Sequence, residues 1–342
     1  MRWIVLCFVI LFGGATAVAE DEELDTAPFP WWPQETLEKH LLDFPQAERL
    51  RALHDLVCAR PHPAGTEADQ WMIGRLRDEF ERIGVTPQLQ VIHPYLPRFV
   101  DAKLELLHGD TVESLPVREL DEGEPDFEAY YKEVLPGWNA YSGSGTVEAE
   151  VVYANYGTQA DFQRLQALGV SCKGKIVVAR YGKNYRGFKA KFAEAAGAAG
   201  LIMYTDPADS GWGRGVAWPE GGWASPSSIQ RGSIKTLPYP GDPLTPFRPA
   251  TKDAKRVDPS SVALPKIPVQ CVGWIAAEPI LRRMEGSDVP KGWQGGLPFR
   301  YRVTQGDATF RVRLTVEQER SVTETANVLG VIEGAVWPLS LI

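Results

Sequence analysis

A short basic segment, residues 182–187, carries the residue types of this chain that are best suited to bind a ligand. It contains Lys183 and Arg186, and Lys189 follows it closely. Guanidinium and ammonium groups recognise carboxylates and phosphates, and a guanidinium can do so through two parallel hydrogen bonds. The same pattern is compatible with a plain packing unit whose basic loop is solvated. The residues alone leave both interpretations open.

Histidine is the commonest ligand of a catalytic zinc, but the histidines of this chain lack the spacing of a metal site. The sequence contains no His-x-Asp and no His-x-x-x-His pair. Each histidine is therefore interpreted as a surface or core residue. The five are His40, His54, His62, His93 and His108.

Patterns for nucleophilic catalysis and phosphate binding are missing from the sequence as well. The run at 142–145 does not complete a Gly-x-Ser-x-Gly elbow, and no Gly-x-Gly-x-x-Gly motif follows a predicted strand. Cys58 lies one helical turn after His54, but no third group is in view to orient the pair. We interpret the pair as structural, so the sequence offers no catalytic residue and no zinc ligand of its own.

A predicted strand–helix–strand unit positions the basic segment. Residues 175–181 form a short apolar run rich in β-branched side chains, which is typical of a buried strand. Residues at helical spacing predict the apolar face of the next helix. These are Phe188, Phe192, Ala195 and Ala199. Gly200 ends the helix, and residues 201–204 predict a second buried strand. The basic segment thus follows the carboxyl end of a strand, where open α/β sheets usually bind ligands.

The overall composition favours a two-domain protein without a nucleic-acid partner. The chain has 342 residues, of which 44% are hydrophobic and 23% charged, and this length is sufficient for two domains with a core each. The formal net charge is -8, and lysine and arginine are scattered rather than clustered.

Residues 1–19 are predicted to be a signal peptide. Arg2 precedes a short apolar stretch, and residues 17–19 have the small-x-small pattern of a cleavage site. We expect the mature protein to begin at Glu20 and to be secreted or periplasmic, with an uncleaved signal anchor as the alternative. The mature chain keeps three cysteines, which allow at most one internal disulfide. They are Cys58, Cys172 and Cys271.

The first predicted elements after the leader are a linker and two helices. Residues 20–44 are acidic and proline-rich and then aromatic, as expected of a linker. The second helix follows Thr66, where Asp69 three residues later resembles a capping box. A strand at 88–95 is predicted to lead away from these helices.

The hydrophobic pattern changes to an alternation typical of β-strands from about residue 99. Strands are predicted at 293–297, 299–303 and 310–317, and the last of them alternates most clearly. Residues 327–332 form a continuous apolar run again, as in the first strand of a new buried sheet.

Six motifs together resemble the first half of glutamate carboxypeptidase II and its relatives, a family of zinc exopeptidases that also includes the non-enzymatic transferrin receptors. The motifs follow the family's order and spacing from about residue 45 to 337. They are PHPAGT (61–66), GKIVVARYGK with RG (174–183 and 186–187), DPAD (206–209), QRG (230–232), GDPLTP (241–246) and NVLGVIEGAV (327–336).

The resemblance implies a mixed α/β fold in which a protease-associated (PA) domain is inserted into an incomplete zinc-exopeptidase domain. Residues 45–98 would begin the peptidase domain, residues 99–322 would form the β-rich inserted domain, and residues 323–342 would return to the peptidase sheet. In the family, the zinc ligands and the catalytic glutamate follow that return strand. We therefore expect a truncated chain that binds no zinc tightly, is inactive alone, and has a return strand without partners.

The resemblance also implies binding residues. Arg186 matches an arginine that pairs with the terminal carboxylate of the substrate. Ser233 stands where the family has an asparagine beside that arginine, and its shorter side chain predicts a less strict preference for glutamate. Thr245 and Arg248 match positions whose main-chain oxygens bind a structural calcium. The full-length family member would hold two zinc ions and a calcium, bind a carboxylate-bearing peptide, and could form a homodimer.

Three hypotheses about function stay open. The chain is a truncated secreted exopeptidase whose PA domain shapes the substrate cleft, a PA domain used alone as a binding module, or one half of a split enzyme. The apolar run at 327–332 favours the first, because a self-sufficient module gains nothing from a strand without partners.

Overall fold

The computed structural model of the chain describes residues 33–120 and 133–333. The predicted signal peptide, the first part of the linker and residues 334–342 lie outside this part. Within the described ranges, no helix has the length and apolarity needed to cross a membrane.

The described chain is a mixed α/β structure, as the sequence predicts. Its helices are α1 (Gln34–Asp43), α2 (Ala47–Cys58), α3 (Glu67–Arg82), α4 (Gln159–Ala167), α5 (Arg186–Ala195), α6 (Pro207–Ser210) and α7 (Trp274–Arg282). Its strands are β1 (Pro87–Ile92), β2 (Tyr95–His108), β3 (Thr111–Leu115), β4 (Gly145–Ala149), β5 (Val151–Tyr153), β6 (Ile176–Arg180), β7 (Gly200–Tyr204), β8 (Val269–Val272), β9 (Phe310–Val322) and β10 (Thr325–Gly330).

The chain divides into two compact units. The first comprises Met1–Pro94 and Thr323–Ile342, and the second is the intervening segment Tyr95–Val322. The second unit begins four residues before the boundary that the sequence suggests at 99. The reason is that β2 already pairs with β9 at Tyr95, whose partner is Val322, although alternation becomes visible only later in the strand.

In the first unit, the helix cap that the sequence predicts is present. The Thr66 hydroxyl accepts a hydrogen bond from the Asp69 backbone N–H at 3.2 Å, which satisfies one free donor of α3. The Asp69 carboxylate binds the Gly65 N–H at 2.8 Å and the Thr325 hydroxyl at 2.7 Å. Asp69 therefore both supports the helix start and fastens β10 to it.

The return strand has a partner, so the expectation of a strand without partners is wrong. β10 pairs with β1 in an antiparallel ladder that runs from Pro87↔Gly330 to Ile92↔Thr325. Periodicity identified both segments as strands but contains no information on which strands pair. Leu89 and Val91 of β1 remain about half exposed, so this two-stranded sheet keeps an uncovered apolar surface.

The second unit contains two four-stranded sheets. One is antiparallel with the order β3-β2-β9-β4, and the other is parallel with the order β5-β6-β7-β8. β9 alternates as its sequence predicts, with Phe310, Val312, Leu314 and Val316 buried. The parallel strands are buried along their whole length, which explains their continuous apolar runs.

The predicted strand–helix–strand unit exists as β6, α5 and β7, but the predicted buried face of α5 is wrong. Phe188 is 42% exposed, and the residues of α5 that are buried are Gly187, Lys189, Ala190 and Ala193. Small side chains allow the helix to lie close to the sheet, and they, rather than the two phenylalanines, define the packed face. Lys189 is fully buried and is not part of a solvated loop.

The strands predicted at 293–297 and 299–303 do not form. These segments are irregular, although Tyr301 is fully buried and Trp293 is 7% exposed. The Tyr153 hydroxyl donates to the Trp293 carbonyl at 3.0 Å, and the Tyr153 and Tyr301 rings meet edge to face at 5.3 Å. Their apolar content therefore reflects a loop packed on the parallel sheet.

Candidate anion-binding site

The carboxyl ends of the parallel strands bring several polar connections to one edge of the sheet. Residues after β5, β6 and β7 meet there, because the three strands are parallel neighbours. The segment after β6 leads directly into α5, whose first residue is Arg186. This is the edge at which open α/β sheets usually bind ligands.

Arg186 is half-buried and has an unused hydrogen-bonding capacity. Its Nε is buried without a hydrogen-bond partner, and the guanidinium forms no ion pair within residues 33–120 and 133–333. Its central carbon lies 5.9 Å from the ring centroids of Tyr181 and Tyr185. Since a guanidinium carries five donors, this arrangement leaves donors free for an anion.

The turn at 230–233 lies directly against Arg186. A Cβ atom added at Gly232 would collide with Nη1 of Arg186, and Gly232 has a φ of +150°. The Tyr185 hydroxyl donates to the Ser233 carbonyl at 2.6 Å, and the Tyr181 hydroxyl donates to the Gln230 carbonyl at 2.6 Å. The turn that contains Ser233 thus lies next to Arg186, and the family resemblance assigns both residues to one site.

A second arginine in this turn, Arg231, has a different environment. Both of its terminal nitrogens donate to the carboxylate of Glu119: Nη1 contacts Oε1, and Nη2 contacts Oε2 at 2.6 Å. Nη2 also donates to the Leu135 carbonyl at 2.7 Å. Arg231 is therefore a clamp that fixes the turn, whereas Arg186 remains open to a ligand. The sequence analysis missed this pair, because no local pattern links residues 119 and 231.

Beside the site lies a buried polar cluster that the sequence analysis also missed. Arg180, only 4% exposed, contacts Asp209 at 3.2 Å and the Asn155 side-chain oxygen at 3.1 Å. Its guanidinium stacks 4.0 Å from the centre of the Tyr156 ring, and the Tyr156 hydroxyl donates to Asp209 at 2.7 Å. Burial raises the pKa of Tyr156 to about 12, so the phenol keeps its proton. The charge of Arg180 is balanced by Asp209, so its guanidinium is not available to a ligand.

Lys189 completes the basic group that the sequence identified. Its ammonium donates to the Gly182 carbonyl at 2.7 Å, to the Asn184 side-chain oxygen at 2.6 Å and to the Tyr156 carbonyl. Burial lowers its pKa from 10.5 to about 8. All three ammonium protons therefore face oxygens of the protein.

The positions assigned to calcium lie in a tight turn. Thr245 is 1% exposed, and its carbonyl accepts the Arg248 N–H at 3.1 Å. The Asp242 carboxylate is already engaged by the N–H groups of Tyr95 and Leu244 and by the Thr245 hydroxyl. The turn offers main-chain oxygens but no free carboxylate, which Ca²⁺ sites usually include. The described residues thus supply at most part of a calcium site.

Neither a metal cluster nor a disulfide is found among the described residues. No group of three or more His, Cys, Asp and Glu side chains in these ranges could hold a metal ion. Cys58 is exposed and unpaired, and Cys172 and Cys271 are buried and unpaired. The described residues therefore do not fit a catalytic zinc site.

A groove of about 630 Å³ lies elsewhere on the second unit. It is lined by α4, by the segment that precedes β6 and by the end of α5, including Phe162, Cys172 and Phe192. These segments place most of it toward the amino ends of the parallel strands. It is therefore distinct from the edge that carries Arg186.

Comparisons with known proteins identify a known domain in the second unit. The family model described as "PA domain" matches residues 147–237, which include Arg186 and Ser233. The rat protein "Aminopeptidase NAALADL1" is 37% identical over 216 residues, covering 60% of this chain and 29% of the rat protein. The "Glutamate carboxypeptidase 2 homolog" of Caenorhabditis briggsae is 31% identical over 326 residues, covering 89% and 41%.

The chain is similar over most of its length to the glutamate carboxypeptidase II-like family. It spans less than half the length of these curated relatives. Its PA domain lies in the central part of the chain, and both of these relatives are named as peptidases.

Solved structures of lower similarity were also found. "Peptidase M28 precursor" from Shewanella amazonensis has 15% sequence identity and a TM-score of 0.45, with 82% of this chain and 49% of that chain covered. A zinc aminopeptidase from Bacillus subtilis has 15% identity and a TM-score of 0.39. Because both scores are below 0.5, the likeness to this family depends on the sequence relatives alone.

Proposed function

We propose that this chain contributes the substrate-facing PA domain of a glutamate carboxypeptidase-like exopeptidase, and that Arg186 binds the terminal carboxylate of a peptide. The observation that carries the proposal is the state of Arg186. Its guanidinium is held beside two tyrosine rings and Gly232, yet it has no acidic partner among the described residues. A carboxylate would supply two acceptors to parallel donors.

Arg186 alone binds but does not catalyse. Peptide hydrolysis in this family would need zinc-activated water, and the described residues contain no zinc ligand set. The zinc ions, the calcium and a homodimer are parts of the proposal that derive from the family resemblance, whereas export derives from the sequence pattern of residues 1–19. Ser233 would leave more space beside the carboxylate than an asparagine, which favours a broader range of terminal residues.

The proposal can be tested by calorimetric titration of the full chain. The ligands are an acetylated dipeptide that ends in glutamate and the same dipeptide with its terminal carboxylate amidated. We expect Arg186→Ala to weaken binding of the free acid by about 1.5–3 kcal/mol, the usual contribution of hydrogen bonds to a charged group. Arg164→Ala, an exposed arginine on α4, is the control and should change nothing.

Two results would contradict the proposed function. One is equal affinity of the unaltered chain for the acid and the amide. The other is a loss of affinity in Arg164→Ala as large as that in Arg186→Ala, because the effect would then reflect net charge rather than a site.

A further inference from the structure

Lys189 is an unusual residue to find at the centre of this fold. Its side chain is fully buried, although lysine is rarely buried without a charged partner. It forms no ion pair among the described residues, and its nearest acidic groups are engaged elsewhere. Asp209 binds Tyr156 and Arg180, and Asp161 binds Asn155 and the cap of α4. Lys189 therefore does not serve as the counter-ion of a carboxylate.

The partners of Lys189 are neutral oxygens of two connections. Gly182 and Asn184 belong to the segment between β6 and α5, and Tyr156 belongs to the segment between β5 and α4. The side-chain amide of Asn184 also reaches the Gly157 carbonyl at 3.4 Å. The ammonium thus joins the two connections that border the anion-binding edge.

The segment before Arg186 needs such support, because its backbone is locally unfavourable. Gly182 has a φ of +116° and Lys183 a φ of +66°. A non-glycine residue in this region is uncommon and persists where the surrounding structure holds it. Asn184 and Tyr185 follow, and Tyr185 directly precedes Arg186 as the N-cap of α5. The path of this segment therefore decides where Arg186 and its neighbour Tyr185 lie.

We propose that Lys189 is the positioning residue of the anion-binding site: its buried ammonium holds the 182–185 segment in the path that presents Arg186. Methionine would fill the same space without a buried charge, but it would leave three oxygens without a donor. Part of the test depends on the proposed function, because it assumes that Arg186 binds a carboxylate. A second part needs no ligand.

The ligand-free experiment is NMR of the full chain labelled with ¹⁵N-arginine. The Arg186 Nε–H resonance is identified by its absence in Arg186→Lys. We expect it to shift in Lys189→Met and to stay in place in Lys191→Met, an exposed lysine on the same helix. Ala193→Gly is the control for stability, because it weakens α5 at a buried position away from the segment.

The ligand experiment measures affinity for the acetylated dipeptide that ends in glutamate, well below the melting temperature. If only one Lys189→Met molecule in ten has the 182–185 segment in its native path, this variant binds the dipeptide about tenfold more weakly. A merely structural lysine would lower the melting temperature, as Ala193→Gly does, and leave the affinity of the folded protein unchanged. Should Lys189→Met not fold, Asn184→Ala removes one of its acceptors and is expected to shift the same resonance.

The outcomes separate the two proposals. If the unaltered chain does not bind the dipeptide, the proposed function fails, and the NMR experiment still decides the role of Lys189. An unshifted Arg186 resonance in folded Lys189→Met, or in Asn184→Ala when Lys189→Met is unfolded, overturns the positioning role. Unchanged affinity in folded Lys189→Met overturns it as well.

Discussion

Three basic side chains that look alike in the sequence have different roles in the structure. Arg186 and Lys189 belong to one segment, yet the first is open to a ligand and the second is enclosed by oxygens. Arg231, which the sequence places in a short motif, is neutralised by Glu119. Burial and partners distinguish these residues, and both depend on contacts between distant parts of the chain. The family resemblance made Arg186 a binding candidate, but the sequence could not assign the surroundings of the other two.

Gly232 gives a prediction at the scale of a single residue. We expect Gly232→Ala to weaken carboxylate binding, because the added methyl group would displace the guanidinium of Arg186 and because alanine is strained at a φ of +150°. The effect on stability is expected to be about 1 kcal/mol. Affinity and chemical unfolding are measured on the same samples.

The matched control for this change is Gly222→Ala, since a Cβ at Gly222 meets no atom within 4 Å and its backbone is not left-handed. An affinity loss of equal size in both variants would contradict close contact between Gly232 and Arg186.

The titration of Lys189 gives a second residue-scale prediction. Its pKa is about 8 in the folded chain and 10.5 as an unperturbed lysine, so the unfolded state binds more protons between these values. The free energy of unfolding should therefore rise by at most about 3 kcal/mol as the pH is raised from 8 to 10.5. The same stability should be lost when the pH is lowered from 10.5 to 8. Urea unfolding should show this rise relative to Lys189→Met, whereas Lys191→Met should behave like the unaltered chain. A constant difference between the unaltered chain and Lys189→Met at all pH values would exclude the shift.

At the scale of elements, the parallel sheet was predictable and the loops around it were not. Continuous apolar runs identified β6 and β7, because a strand covered on both faces contains almost no polar positions. The same logic failed at 293–303, where Trp293 and Tyr301 are buried as parts of a loop. It also failed for the face of α5, where small residues pack closely and Phe188 remains exposed. Apolar composition predicts burial but does not determine the backbone conformation that achieves it.

The clamp on the turn at 230–233 gives a prediction at this scale. We expect Arg231→Met to lower the free energy of unfolding by about 2–3 kcal/mol, since it removes charged hydrogen bonds to Glu119 and Leu135 from a largely buried position. The turn should also loosen and carboxylate binding should weaken. Urea unfolding and titration measure the two effects.

Arg283→Met is the control for this clamp. Arg283 pairs with Glu113 at 3.2 Å, but both side chains are more than 40% exposed, so the expected loss is below about 1 kcal/mol. If both variants lost the same stability, the Arg231 pair would be no more than a surface ion pair.

At the scale of the whole molecule, the second unit has what an independent domain needs. It contains two four-stranded sheets and a shared core, and its first and last residues, Tyr95 and Val322, are paired neighbours. We expect a protein of residues 95–322 to fold alone and to unfold cooperatively. Circular dichroism during heating and a dispersed NMR spectrum would confirm this. Gradual melting with poor dispersion would show that the unit depends on the rest of the chain.

The pairing of the first and last residues of this unit has a consequence for how the segment could be gained or lost in evolution. Tyr95 and Val322 lie opposite each other in one ladder, and in the other unit the Thr323 N–H donates to the Pro94 carbonyl at 3.0 Å. If the chain were divided after Pro94 and after Val322, the two new ends of each unit would therefore lie side by side. A recombination event that gained or lost residues 95–322 would leave a host chain whose ends already touch, and one short turn would join them. The architecture therefore makes residues 95–322 a segment that recombination could insert or remove as a whole.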